Sequence, residues 1–504
     1  MSRATAIIIN EDNSHYYFSR GKESASMERL RELPAHYCRG MVGEVFYNPN
    51  AQRCSVDGFC LEPIWHGAEQ RDGTWYFNGK KQEDYGFNNW LEGAYELHRQ
   101  GIDPYTVWLD ETRKLGRRAF ISIRMNDAHC VNDTDSALHG SLWRNHPEWR
   151  LDATGICSWE FKAMDYAVPE VRNLYLTFAR EVLERYDCDG IELDWMRFGH
   201  NFQPKDAATG RDILTQFHRD IRKAADEAAA RLGHPLDVYA RVPANPTDAF
   251  AIGYDVKRWV DEGLVQGVIV SPFLRVDTDM PLALWRRMLG PDIVLCAGLD
   301  LNVEPYLGVG SVKEDFALLA GQAANYLHQG ADRIYLFNMM DSGTCLPDAE
   351  EYNRALDAIG SLDAAAAAHR RHPVTFQDFW AFGHGNGFVG RVPSVLPVTL
   401  HWLEYGGFRI AVGPKPEKGR KCRLVIGGDN DEIGNMTAWL NNVKLTPTET
   451  FVNADSLPEP YPPCAARLAA FDCTDAVAEG DNFIVLRYEG NATTTITWVE
   501  LEIL

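Results

Sequence analysis

Between the N-terminus and about residue 360, eight short apolar runs rich in β-branched residues recur, each followed by a polar or amphipathic stretch. They fall at 6–10, 41–47, 119–125, 190–195, 238–242, 267–271, 293–297 and 333–338. Runs of this length alternating with helical patterns are the signature of repeated β-α units, whose strands lie parallel. Eight is the number that closes such a sheet on itself, so the pattern predicts a (β/α)8 TIM barrel.

The intervening segments support that expectation. Pro169 suits a first helical turn, and Val171, Leu174, Tyr175, Phe178 and Val182 recur at helical spacing. Residues 211–232 and 311–328 read as two further amphipathic helices. The segment 48–100, with Trp65, His66, Trp75, Tyr76 and Trp90 among glycines, reads as an elaborated loop on the barrel rim, where loops carry function. The alanine run 364–368 closes the last barrel helix and marks a boundary near residue 370. Beyond it, alternating runs such as FIVLRY and TTITWVELEI are separated by Gly, Pro, Asn and Asp turns, which predicts an antiparallel, jelly-roll-like β-sandwich. The division expected is therefore a barrel over 1–370 and a sandwich over 371–504, the latter with a possible carbohydrate-binding character.

Charge narrows the partners. With 50 basic and 71 acidic residues the net charge is -21, which repels phosphate backbones and anionic lipids and argues against nucleic acid and membrane partners. No run approaches the roughly 18 apolar residues of a membrane span. The 11 cysteines are odd in number and scattered without metal-ligand spacing. His66, His129 and His200 stand apart from any ligand-spaced cluster, so no metal and no cofactor is expected. Together with an N-terminus unlike a secretory signal, this reads as a cytoplasmic protein, or a secreted or periplasmic one whose signal has been trimmed. Homo-oligomerisation stays open.

The chemistry concentrates in the segment YDCDGIELDWMRF, residues 186–198, which runs from a helix end through Asp189-Gly190 into the fourth strand. Alternation puts Glu192 and Asp194 on one side of that strand and Ile191, Leu193 and Trp195 on the other. The acids must face the barrel interior, a place where apolar residues are the rule. Asp194, nearer the C-terminal end, is placed at the mouth where barrel active sites lie.

This segment resembles the fourth-strand motif, DGIxxD followed by an aromatic residue, of a family-10-like group of glycosyl hydrolases, and DYAVPEVRNLY before it resembles that group's helix. The resemblance spans roughly residues 100–340. It implies a glycosidase-like barrel with Asp194 as principal catalytic carboxylate. The motif also resembles the DGxDxDxE of chitinases, but Met196 stands where their acidic Glu would be, and Met cannot donate a proton.

Glycoside hydrolysis needs a second carboxyl group, roughly 5 Å from the first for retention and roughly 6.5–9.5 Å for inversion. Candidates at expected strand ends are Glu44, Asp127, Asp277, Asp300, Glu304 and Asp341. The resemblance favours Glu304 or Asp300, since in such barrels acid and nucleophile often come from strands four and seven. Glu192 reads as a supporting acid that holds Arg124 or Arg197. Arg124, Asn126, Asp127 and His129 after the third strand, Arg197 after the fourth, Arg241 and Asn245 after the fifth, and Asn338 and Asp341 after the eighth could bind sugar hydroxyls. Trp65, Trp143, Trp149 and Trp195 could stack on pyranose rings, and His66 and Glu44 join the binding candidates.

The sequence thus points to a glycoside hydrolase acting on an oligo- or polysaccharide, and it requires Asp194 to open into solvent with an acidic companion in reach. The alternative is a non-catalytic carbohydrate-binding protein on a barrel scaffold. A third reading, a barrel lyase or metal-dependent hydrolase, needs a metal or a Lys or Tyr base.

Overall fold

The computed structural model describes residues 6–18, 20–77, 79–81, 85–152, 162–273, 275–306, 308–340, 349–377, 394–457 and 460–504. The eight expected strands are all present: β1 (Ala6–Glu11), β2 (Val42–Tyr47), β3 (Arg118–Arg124), β4 (Gly190–Asp194), β5 (Asp237–Pro243), β6 (Gly267–Ser271), β7 (Val294–Leu299) and β8 (Arg333–Leu336). They form a closed barrel in which each strand pairs with its neighbours in sequence, and the pairings of β2 with β3 and of β3 through β6 are parallel.

Register sorts the inward side chains into layers. Glu44 of β2 lies opposite Arg118 of β3 at the N-terminal end, and Phe46 lies opposite Phe120 one step higher. The rings of Phe46, Phe120 and Tyr239 pack on one another with centroids 4.4–5.7 Å apart. Glycine makes room for them: a Cβ on Gly190 would come within 2.4 Å of both the Phe120 ring and the Asp237 carbonyl, and one on Gly267 within 2.6 Å of Tyr239. Above this aromatic floor the interior turns polar, with Ser122 opposite Glu192 and then Arg124, Asp194 and Arg241 in one row. The alternate residues Ile121, Ile123, Ile191, Leu193 and Val238 are fully buried on the other side of the strands.

Two helices flank the fourth strand, Pro169–Arg185 and Ala207–Leu232. The former buries Val171, Tyr175, Phe178 and Val182 on one face, as its spacing predicts. The helix expected over 311–328 is shorter, Phe316–His328: Asp315 caps it by accepting from the Leu318 N–H, and Val312–Lys313 pairs instead with Asn302–Val303. The 48–100 segment contains a small three-stranded sheet and the helix Tyr85–Arg99.

After a short helix capped by Ser361, the chain enters an antiparallel sandwich. One sheet contains β9 (Arg370–Pro373), β10 (Val398–Leu400), β12 (Cys422–Gly428) and β18 (Thr494–Ile503). The other begins at its edge with β11 (Tyr405–Ala411) and continues through β17 (Asp481–Tyr488). Alternation buries Asn482, Ile484, Leu486 and Tyr488 of β17 while their neighbours stay more exposed, and the last three join Leu424, Ile426, Leu501 and Ile503 in one core.

By contact density the chain divides into two units, residues 8–271 with 288–294, and residues 1–7 with 272–287 and 295–504. The first holds the strands from β2 to β6 and residues 8–11 of β1. The second holds β8, most of β7 and the sandwich. No helix among the described residues is long and apolar enough to cross a membrane.

Candidate functional site

In the first unit, the carboxyl ends of four strands converge on a cluster of buried charge. Parallel register fixes its centre: Arg124, the last residue of β3, lies beside Asp194, the last of β4, which lies beside Arg241 of β5. Adjacent in-register residues project to the same side of the sheet, so the carboxylate is flanked by a guanidinium on either hand. Arg241 Nη1 donates to both Asp194 oxygens at 3.2 Å, and its Nη2 donates to Ser271 Oγ at 3.0 Å. The chain turns sharply after β4, and the backbone N–H groups of Met196 and Arg197 both donate to Asp194 Oδ1, at 2.9 and 3.1 Å. Four donor contacts on two oxygens hold the carboxylate in one orientation.

Arg124 is held by Asp12, by Asn13 Oδ1 at 2.9 Å and by Asp127 Oδ2 at 3.3 Å. Burial alone would raise the pKa of Asp12, but Arg124 and Arg197 outweigh it and leave the carboxyl well below the usual carboxylate range. Asp127 behaves likewise: burial raises it, and His129, Arg124 and Arg197 together bring it far down. Neither acid can serve as a proton donor near neutral pH. Arg197 is lowered to about 10, by burial first and then by the neighbouring Arg124.

His129 links the cluster outward. Arg197 Nη2 lies 2.9 Å from its Nε2, and because a guanidinium can only donate, Nε2 accepts. Nδ1 therefore carries the proton and donates to Asp127 Oδ1 at 2.8 Å. With its side chain 37% exposed, His129 is the most accessible member of the group.

Other expected site residues fall elsewhere. Asp194 itself is 1% exposed, so the solvent-filled cup that the sequence reading required is replaced by a packed ionic nest. Glu44 is not at a C-terminal strand end: it is the third residue of β2 and pairs with Arg118 at 3.1 Å at the opposite end of the barrel. Its assignment as a rim acid fails because strand boundaries, not composition, decide which mouth a residue reaches. Glu192 accepts from Asn10 Nδ2 at 3.3 Å, and Arg124 takes its partners from Asp12, Asn13 and Asp127 instead. Asn126 spans the loops after β3 and β4, donating to the Met164 carbonyl and to Asn201 Oδ1 at 2.9 Å. Asn245 is the cap of a six-residue helix, accepting from the Thr247 N–H.

Trp195 is fully buried and donates to His218, and Trp143 is buried against His139, so neither offers a sugar platform. Trp149 stacks on His146 with centroids 3.9 Å apart. Trp65 is half-buried against Tyr95 and His98, and the adjacent His66 is exposed.

In the second unit, Glu304 is bound by Arg275 Nε at 2.6 Å and by the Gly308 N–H at 3.0 Å, and Asp300 accepts from the Leu301 N–H at 2.7 Å. Asp277 accepts from the Asp279 N–H at 2.9 Å. Asn338 adopts a positive φ of 57°. Asp341 lies outside the described residues. Sequence reasoning missed Asp12 and Asn13, although they directly follow the first strand and meet the same strand-end criterion that singled out Asn126 and Asp127. Among the described residues no group of three His, Cys, Asp or Glu side chains could hold a metal ion.

The fold class is a TIM barrel followed by an antiparallel β-sandwich. No protein-family profile matches the chain, and no curated protein matches it. Solved structures with a similar course include the glycoside hydrolase domain of PgaB (BpsB) from Bordetella bronchiseptica, at 10% identity over 70% of this chain and 98% of that one, with a TM-score of 0.40. A GH27 β-L-arabinopyranosidase from Geobacillus stearothermophilus is similar over 97% of both chains at 12% identity, TM-score 0.40. The α-amylase of Geobacillus thermoleovorans is similar over 97% of this chain and 100% of its own, at 11% identity and TM-score 0.39.

Proposed function

We propose that the chain is a glycoside hydrolase acting on an oligo- or polysaccharide at the carboxyl end of its barrel strands. The observation that carries this reading is the row Arg124, Asp194, Arg241 across three adjacent strand ends, at the rim where barrel enzymes keep their chemistry. Burying three aspartates and three arginines there is costly, and a packed apolar layer would serve stability as well or better. A carboxylate fixed by a guanidinium and two backbone N–H groups suits a role played through its charge, as nucleophile or as stabiliser of an oxocarbenium-like transition state. Asp194 takes that role, and His129, the most accessible member of the cluster, meets the sugar.

The test is Asp194→Asn, assayed on p-nitrophenyl glycosides and by reducing-end release from polysaccharides. The amide keeps an oxygen to accept from Met196 and Arg197 but sets an NH2 group against Arg241 Nη1, so circular dichroism checks folding first, and in the folded variant turnover falls by roughly 10²–10³-fold. Wild-type-like rates in that variant reject the assignment. The near-complete burial of Asp194 favours a second reading, a carbohydrate-binding protein without catalysis. Sugar binding with no products released by the wild-type chain decides for it.

A further inference from the structure

We propose that the second unit carries a separate binding site for a neutral mono- or disaccharide, in a cavity beside the edge strand β11. The inference does not depend on what the barrel rim does. The cavity measures about 380 Å³, within the usual range of small-ligand sites, about 300–1,000 Å³.

Four observations give its chemistry. His372 of β9 lines the cavity and is 4% exposed, and its Nε2 has no hydrogen-bond partner among the described residues. Buried ring nitrogens are ordinarily paired, so this one calls for a ligand or water. Burial and the neighbouring Arg370 hold His372 well below the usual histidine range, so the ring is neutral and offers one donor and one acceptor nitrogen.

Two hydroxyls on the wall are arranged as acceptors. Thr278 Oγ1 donates to the Pro373 carbonyl at 2.7 Å, which leaves Thr375 to donate across their 3.1 Å contact, while Thr375 Oγ1 accepts from the Thr278 N–H. Each then keeps one lone pair for an incoming O–H.

The cation on the wall is already neutralised. Arg409 pairs with Asp279 and, at 3.0 Å, with Asp481, so an anionic ligand would meet two acids against one guanidinium. A neutral polyol, which needs donors and acceptors without net charge, fits better. Finally, exposed Gly407 leaves room on the cavity wall, since a Cβ built there meets nothing within 4 Å.

Titration calorimetry on the full chain tests this, with glucose, galactose, N-acetylglucosamine, cellobiose and maltose as neutral probes and glucuronate as the charged one. At least one neutral sugar should bind, with glucuronate weaker than glucose. Gly407→Trp adds a large ring at an open strand position on the cavity wall that tolerates a side chain, and His372→Leu removes the ring nitrogen. Each should weaken binding by about 10-fold or more, the scale of one lost buried hydrogen bond, while Asp194→Asn leaves it within about twofold. Three results overturn the proposal: no neutral sugar bound at tens of millimolar, affinity unchanged in Gly407→Trp, or binding lost in Asp194→Asn but kept in Gly407→Trp. The last would place the sugar in the barrel.

Discussion

At the ends of the barrel strands, Asp12, Asp127 and Asp194 sit among Arg124, Arg197 and Arg241. Elsewhere, Glu500 and Glu502 of the sandwich, with Asp315 at the cap of the helix Phe316–His328, share Arg371 and Arg423 among the described residues. Arg371 donates to Glu500 through Nε at 2.6 Å and Nη2 at 3.1 Å and to Asp315 at 2.7 Å, and Trp498 and Tyr461 supply further donors. Both clusters are buried, but their electrical states differ. With a cation for every acid, Asp12 and Asp127 stay far below the usual carboxylate range. With too few, Glu500 rises to about 7, by burial first and by Glu502 beside it, against the pull of Arg371. Position differs as well, since Glu500 and Glu502 lie along β18 rather than beyond a strand end. An ion cluster inside a sheet acts as a strut, whereas one at strand ends with an exposed histidine can meet a ligand.

The strongest way to break that contrast is Arg371→Met. It leaves Glu500 and Asp315 buried without their cation and should cost about 3–5 kcal/mol of unfolding free energy, measured by denaturant titration. Replacing Arg371 and Glu500 together by apolar residues should recover most of the loss, because an intact apolar pair avoids the desolvation of both charges. A loss under about 1 kcal/mol in the single variant would mean that the sandwich cluster is not a strut.

A smaller effect separates the clusters by pH. Glu500 titrates near 7 in the folded chain and near 4.5 when unfolded, so between those values the folded state holds the extra proton and stability falls as pH rises. Asp12 and Asp127 run the other way. Their depressed values contribute stability above the ordinary range near 3.8 that is lost as pH drops below it. Thermal unfolding from pH 4.5 to 7 should therefore decline in the wild type and flatten in Glu500→Gln, with the acid-side loss unchanged. An equal slope in both proteins would show that the surplus of acid in the sandwich is not felt.

Much of the barrel was legible because its period is local. Gly190-Ile-Glu-Leu-Asp194 declares a strand with acids on one side, and the glycine at its head is required by the Phe120 ring. What the sequence could not show is register. Glu44 and Asp194 are both strand acids, and only the pairing of Glu44 with Arg118 reveals that it faces the other mouth. TTITWVELEI alternates like a half-exposed strand, yet Glu500 and Glu502 are both buried, because Arg371 and Tyr461 cover the polar side. Asn245 and Asn126 look alike at strand ends, and one caps a helix while the other ties loops together. Those distinctions live in tertiary contacts between residues far apart in the chain.

The mildest test concerns the one accessible member of the barrel cluster. His129→Gln keeps an amide to reach Asp127 or Arg197 but loses the ring that bridges them. Because the side chain is 37% exposed, its ion contacts are screened and stability should change by less than about 1 kcal/mol. If the cluster meets a sugar through His129, KM should rise several-fold with kcat nearly unchanged, the mark of binding lost equally from ground and transition states. Unchanged KM and kcat would remove His129 from the site. A fall in kcat at constant KM would instead give it a part in the transition state, and the barrel cluster would then differ from the sandwich one in chemistry as well as in charge.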